Sequence, residues 1–257
     1  LLLADSTNAE VPGRGRTERE VASALEDQVR STSGRLVVTL MSSHVGRMAA
    51  LAEAARRTDR KLCLVGKTLE RNWAFGVKRG YLPSNPHLLL APERLSARPR
   101  DAAIVLASGS QGEPHGALTR IAAGQDALLR MRPGEKVVFS ARTIPGNELA
   151  VRKIVNQLAR QRVEVVTPDQ APVHASGHAR ADEQAALIQA VSPRAFVPAY
   201  GERAMLEAHA RTARELLAPD RVHVVENGRA MRLRAGALEL GAREEVSRRP
   251  LDEEGRV

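Results

Sequence analysis

Apolar residues in the first 166 positions fall into short unbroken runs, each followed by a stretch in which they recur every three or four residues. The runs are "LLLA", "RLVVTLM", "KLCLVG", "AIVLAS", "KVVFSA" and "VEVV". They are too uniformly apolar to leave one strand face in water, which predicts a parallel sheet covered on both sides by crossover helices. The first helix is expected where Thr17, Glu18, Arg19 and Glu20 fit a capping box, and the others over residues 45–57, 68–79, 116–123 and 147–161. The expected class is α/β.

The rhythm changes near residue 165. A helix over 181–191, a strand "AFVPAY" and a helix over 203–217 follow, and Asn227-Gly228 between "VHVV" and "AMRLR" predicts a β-hairpin. A second structural unit is therefore expected after 165. Residues 241–257 are charged and aperiodic, and read as linker or tail. The opening "LLLADSTNAE" has no initiator Met and starts at once on a strand-like run, so the sequence reads as part of a longer protein.

Composition narrows the class without fixing it. The chain has 257 residues, 43% of them hydrophobic, ample for a buried core. Its net charge of +9 comes almost wholly from arginine, since only Lys61, Lys67, Lys78, Lys136 and Lys153 are lysines. Arginine forks suit phosphate, so a polyanionic partner is one reading; coding bias that writes Arg on solvated faces is the other. Cys63 is the single cysteine, which excludes an internal disulfide and fits a cytoplasmic protein. No apolar run reaches membrane-spanning length, and no membrane partner is expected.

Ligands of open α/β sheets collect at the carboxyl ends of the strands, where this chain carries "DSTNAE" (5–10), "SSH" (42–44), "SGSQGEP" (108–114) and "IPGNE" (144–148), with "HASGHA" (174–179) after "VEVV". Singly each reads as an ordinary turn; together they suggest a site. "VGKT" at 65–68 is not a P-loop, because Lys61 stands where glycine is required, and "SGSQGE" does not make a serine-hydrolase elbow. In "HASGH" the histidines are four apart, but Gly177 between them favours a turn over the helix that shared metal ligation would need. Phosphate suits the stretch better: a turn with the Ser176 hydroxyl and exposed N–H groups, followed by a helix whose N-terminal dipole favours an anion. His178 is the functional histidine on that reading, and His174 packs or supports.

In order and spacing, "LLLADSTNAE", "ASGSQGEP", "SARTIPGNE", "VHASGHA" and "FVPAYGE" resemble the ribonuclease J family, nucleases of metallo-β-lactamase fold with an inserted β-CASP domain. The resemblance runs over about residues 1–235. It implies a β-CASP domain over 1–165, the C-terminal part of a metallo-β-lactamase domain over 166–240, and a tail over 241–257. It implies a zinc-dependent RNA hydrolase of RNA processing and decay, endonucleolytic, 5′-to-3′ exonucleolytic or both, acting on RNA that is 5′-monophosphorylated, and a homo-oligomer at full length. Matched residue by residue, Asp5 falls in the first acidic β-CASP motif and Ser176, Gly177, His178 and Ala179 in the phosphate-holding one. The catalytic residues so implied are Asp5 and His178, and Ser110, Gln111, Glu113, Asn147 and Glu148 lie in further loops of the site. Two departures stand out. The family's H-x-H-x-D-H zinc motif is not in this sequence, and Tyr200 occupies the position of a histidine ligand. His44 also stands where the family has asparagine. The two zinc ions of the family therefore lack most of their ligands here, and the chain alone is expected to be inactive. The alternative is a degenerate relative that holds RNA phosphate without cutting.

Overall fold

A computed structural model describes residues 1–235 and 237–246. The chain divides into two compact units, one of Leu1–Gly15 with Ser176–Val257 and one of Arg16–Ala175.

The second of these is built on five parallel strands: β2 (Leu36–Leu40), β3 (Lys61–Val65), β4 (Ala103–Ala107), β5 (Lys136–Ser140) and β6 (Glu164–Val166), in the spatial order β3-β4-β2-β5-β6. Alternate strand residues feed two cores. Leu36, Val38, Leu62, Leu64, Ile104, Leu106 and Val138 face helices α1 (Glu18–Ser31), α2 (Val45–Arg57) and α3 (Lys67–Lys78). Val37, Cys63, Val105, Val137 and Phe139 face α4 (Ala117–Ala122) and α5 (Glu148–Arg160) on the other side. A sheet wetted on neither face must be apolar in both registers, which is why its strands read as continuous runs. Between α3 and β4 the chain rounds the β3 edge: Leu88 joins the first core and Leu90 and Leu95 the second, with the Leu90 N–H donating to the Leu62 carbonyl at 2.7 Å. Burial pushes the Cys63 thiol up to about 12, so it remains a neutral core side chain.

The α1 start fits the capping box: the Thr17 hydroxyl accepts from the Glu20 N–H and Glu20 accepts from the Thr17 N–H. His44 caps α2 with its ring, Nδ1 accepting from the Arg47 N–H at 3.1 Å.

The other unit contains β1 (Leu2–Asp5) paired in parallel with β7 (Phe196–Ala199), helices α6 (Ala181–Val191) and α7 (Arg203–Leu216), and the antiparallel pair β8 (Arg229–Arg234) and β9 (Ala237–Arg243). Ala4, Ile188, Phe196, Ala210 and Ala213 form its core.

Three expectations change. "LLLA" is not a strand of the large sheet; it pairs with residues 196–199, so residues 1–15 part from the segment that follows and the later division falls at 175–176, not 165. The hairpin does not turn at Asn227-Gly228: β8 pairs with β9 after it, and residues 222–225 reach the sheet only through an isolated bridge from Val222 to Phe196. Residues 241–243 belong to β9 rather than to a tail, and 247–257 lie outside the described residues.

In the loop after β4, Gly112 takes φ +78, and a Cβ there would stand 2.6 Å from the Ala150 Cβ on α5. Backbone strain and overpacking add, so Gly112→Ala is expected to lower stability by roughly 2 kcal/mol or more in denaturant unfolding. An unchanged midpoint would show that the loop is free to move away.

Candidate functional site

β1 and β7 run in register, Asp5 opposite Ala199, so "DSTNAE" and "AYGE" leave the sheet side by side. Asp5 sits at the strand end. Its Oδ1 accepts from the Thr7 N–H and the Thr7 hydroxyl, both at 2.7 Å, and its Oδ2 meets His178 Nδ1 at 2.6 Å. Partial burial alone would raise the Asp5 pKa, but the Thr7 and His178 donors outweigh it and hold the carboxyl below its ordinary value. Asp5 is thus an acceptor only, so His178 must donate from Nδ1, which leaves Nε2 as the working nitrogen. The His178 side chain is 40% exposed, so that nitrogen is reachable.

The loop carrying His178 is tied down by neighbours. Ser176 Oγ accepts from the His178 N–H at 3.1 Å and from Asn8 Nδ2 at 3.2 Å, and the same Asn8 amide reaches the His178 carbonyl at 2.9 Å. Gln184 Nε2 donates to the carbonyls of Asp5 and Ala179, both at 3.1 Å. Gly177 has nothing within 4 Å of the place a Cβ would occupy. The result is a short polar turn, rigid at its ends and open over its glycine, with one imidazole aimed by a carboxylate.

The helix expected to assist an anion does not do so. The first N–H groups of α6 are taken: Ala181 donates to the Val11 carbonyl at 3.1 Å and Asp182 to the Gly13 carbonyl at 3.2 Å. Glu183 adds a negative charge in the same turn, accepting from the N–H groups of Gly15 and Arg180. The start of α6 thus keeps little free N–H for an anion.

Beneath Asp5, Ser6 Oγ meets His209 Nδ1 at 3.0 Å, and Phe196 packs edge-on to the same ring. His209 is fully buried and its Nε2 has no partner among the described residues. Burial pushes its pKa down to about 4. The Ser6 N–H donates to the Ala199 carbonyl, so this pair fixes the floor of both turns. Tyr200 follows β7 at φ +53, 74% exposed, its ring nearly parallel to that of His178 with centroids 6.0 Å apart.

Asp5, Ser176, Gly177, His178, Ala179 and Tyr200 thus belong to one unit. Ser110, Gln111, Glu113, Asn147 and Glu148 belong to the other, where they organise loops. Gln111 donates to the Arg142 carbonyl and accepts from the Ile144 N–H, joining the loops after β4 and β5; Asn147 approaches it at 3.4 Å. Glu113 accepts from the Gln111 N–H and Glu148 from the Gly146 N–H. His174 lies in that unit too, where Nδ1 accepts from the buried Arg47 guanidinium at 3.2 Å while Arg47 also pairs with Glu18 and the Ser140 carbonyl. Burial, with Arg47 adding to it, pushes His174 down to about 4. Thr7, Asn8, Gln184, Ser6 and His209 were not singled out by sequence reasoning. Thr7 and Asn8 are short polar residues after a strand, which is a signal; Gln184 and His209 look like ordinary helix residues.

Among the described residues no three His, Cys, Asp or Glu side chains converge as a metal set, and both Asp5 oxygens are already engaged. The residues present do not by themselves fit a zinc site. Among the described residues no helix is long and apolar enough to cross a membrane.

Residues 33–158 match the family described as "Ribonuclease J, beta-CASP domain", and residues 170–225 match "Zn-dependent metallo-hydrolase RNA specificity domain". The chain belongs to the ribonuclease J family. Over 243 residues it is 37% identical to the Ribonuclease J of Sinorhizobium meliloti, covering 93% of this chain and 42% of that protein. It is 35% identical to the Ribonuclease J of Mycobacterium tuberculosis H37Rv and 31% identical to Ribonuclease J2 of Bacillus subtilis, each over 241 residues, 93% of this chain and 43% of the relative. The chain therefore spans less than half the length of these relatives. The specificity-domain match contains both the 176–179 turn and Tyr200, the two places where the ribonuclease J resemblance makes its claims about phosphate and metal.

The His209 environment sets a pH dependence. Folded, its pKa is about 4; unfolded, about 6.5, so the unfolded chain binds more protons between those values and stability falls as pH drops through that window. The loss from this ring is of the order of 3 kcal/mol. His209→Leu should flatten the acid limb of a stability–pH profile for the unit containing residues 1–15; an unchanged slope would place the acid sensitivity elsewhere.

Proposed function

We propose that the chain is the RNA-holding portion of a ribonuclease J-type RNA hydrolase, with Ser176, Gly177, His178 and Ala179 gripping the phosphate next to the bond that is cut. The observation that carries this reading is the 2.6 Å contact of Asp5 with His178 Nδ1 beside an open serine–glycine turn, in a chain of the ribonuclease J family. The Ser176 oxygen accepts from the His178 N–H, which leaves the hydroxyl hydrogen for the anion, and His178 Nε2 supplies or withdraws a proton at the phosphoryl or leaving oxygen, oriented by Asp5. Zinc in such an enzyme activates the attacking water. Asp5, His178 and Tyr200 do not form its ligand set. A substrate bearing a 5′-monophosphate suits a compact anion turn of this kind, and the buried free thiol of Cys63 suits a cytoplasmic protein. Homo-oligomerisation of the full-length protein belongs to the same reading, by resemblance. Gln111, Glu113, Asn147 and Glu148 support the loops of their own unit, where Ser110 is buried. Tyr200 in a ligand position favours a second reading, in which the protein holds RNA phosphate without cutting.

The chain alone is expected to bind RNA with an affinity that falls steeply with salt, because arginines outnumber stacking groups, and to cleave none. Chelator-sensitive cleavage of 5′-phosphorylated RNA by the purified chain would overturn the second half, and salt-independent affinity the first. In the full-length protein, His178→Ala should lower kcat by about 10² to 10³ with little change in RNA affinity, whereas His174→Ala should act through stability. Equal, mild effects of both would remove His178 from the chemistry; full-length protein without turnover, unchanged by zinc, would favour the non-cutting reading.

A further inference from the structure

Tyr200 combines three features that together call for an explanation. It is a bulky residue held at φ +53, a conformation in which its Cβ is crowded and which glycine would enter freely. Its carbonyl is fixed from below, 3.2 Å from the Thr7 hydroxyl and 3.4 Å from the Ser6 N–H, so the turn cannot relax without breaking the floor of the site. Its ring is 74% exposed yet lies within 20° of parallel to the His178 imidazole. The only other phenyl ring in that unit, Phe196, is fully buried, so Tyr200 is its one exposed aromatic among the described residues. A side chain needed only to fill space or close a turn would not be kept strained, rigid and open to solvent.

We infer that Tyr200 is a stacking platform for one base of a single-stranded nucleic acid whose phosphate lies in the 176–178 turn. The inference rests on the proposed phosphate grip. A nucleotide places its base one sugar away from its phosphate, and the Tyr200 ring stands beside the imidazole that bounds the turn. Every base offers a π face, so the platform adds affinity without reading sequence, while the open turn supplies the charge-dependent part. On this account the ring face matters and the hydroxyl does not, which separates stacking from metal ligation by a phenolate.

The test uses the whole chain, a short 5′-phosphorylated single-stranded RNA, and copies of it in which one abasic site is moved along from the 5′ end, with affinity read by fluorescence anisotropy. Wild type should lose about fivefold or more at one abasic position. Tyr200→Leu should show that loss on intact RNA and no further loss on the abasic copy, and Tyr200→Phe should bind as wild type. Tyr200→Gly should lose the same base-dependent affinity with an unchanged or higher Tm, since glycine relieves the strain. Tyr200→Leu binding intact RNA as tightly as wild type would overturn the inference, as would Tyr200→Phe losing as much as Tyr200→Leu. No RNA binding by wild type at all would instead overturn the phosphate grip on which the inference stands.

Discussion

The parallel pairing of residues 2–5 with residues 196–199 is the constraint from which the site follows. It sets Asp5 and Tyr200 at neighbouring strand ends, and it makes possible a hydrogen bond between side chains 173 positions apart. Residues 8–15 then run against the start of α6, where Gly13 and Gly15 donate to Asp182 and Glu183. Those bonds hold together the two points at which the chain leaves this unit and returns to it. Loop-closure cost rises only with the logarithm of length, so an inserted unit with its own cores can be carried between them at modest expense.

The histidines show how environment assigns the role of one side chain. His178 meets a carboxylate at Nδ1 and is part-exposed. His174 faces the buried Arg47, and like charge together with burial keeps it neutral, an acceptor within a polar knot. His209 is neutral by burial alone and supports Ser6. His44 caps a helix through Nδ1, with Nε2 3.3 Å from a Glu18 carboxylate oxygen. No spacing rule separates these four; the partner of each Nδ1 does.

The large sheet was legible because strands buried on both faces announce themselves as apolar runs, and α2 and α6 begin and end where periodicity and polar flanks place them. The partner of β1 was not legible. A four-residue apolar run carries no information about which sheet it joins, and "LLLA" fits either. The hairpin failed for a related reason: Asn-Gly marks a tight turn, but whether strands flank it depends on what they can pair with, and residues 222–225 reach the sheet only through the Val222 bridge. The resemblance assigned Asp5 and residues 176–179 to motifs of one site, and the structure brings Asp5 and His178 together. Gln184 and His209 were not legible, because a helix residue that reaches down to a strand-end turn has no local mark.

The proposed grip must also satisfy charge balance. An anion over Gly177 approaches Asp5, which its donors hold as a carboxylate, and α6 offers no compensating dipole because its first N–H groups are spent and Glu183 follows. Two negative groups at that distance repel unless a positive one lies between them. Among the described residues His178 is the side chain that both touches Asp5 and belongs to the turn. Its Nδ1 donates to Asp5, so the carboxylate charge is shared with a donor of the turn itself. The proposed grip thus depends on the Asp5–His178 contact twice, to aim the ring and to soften the repulsion that a bare carboxylate would set against an incoming anion.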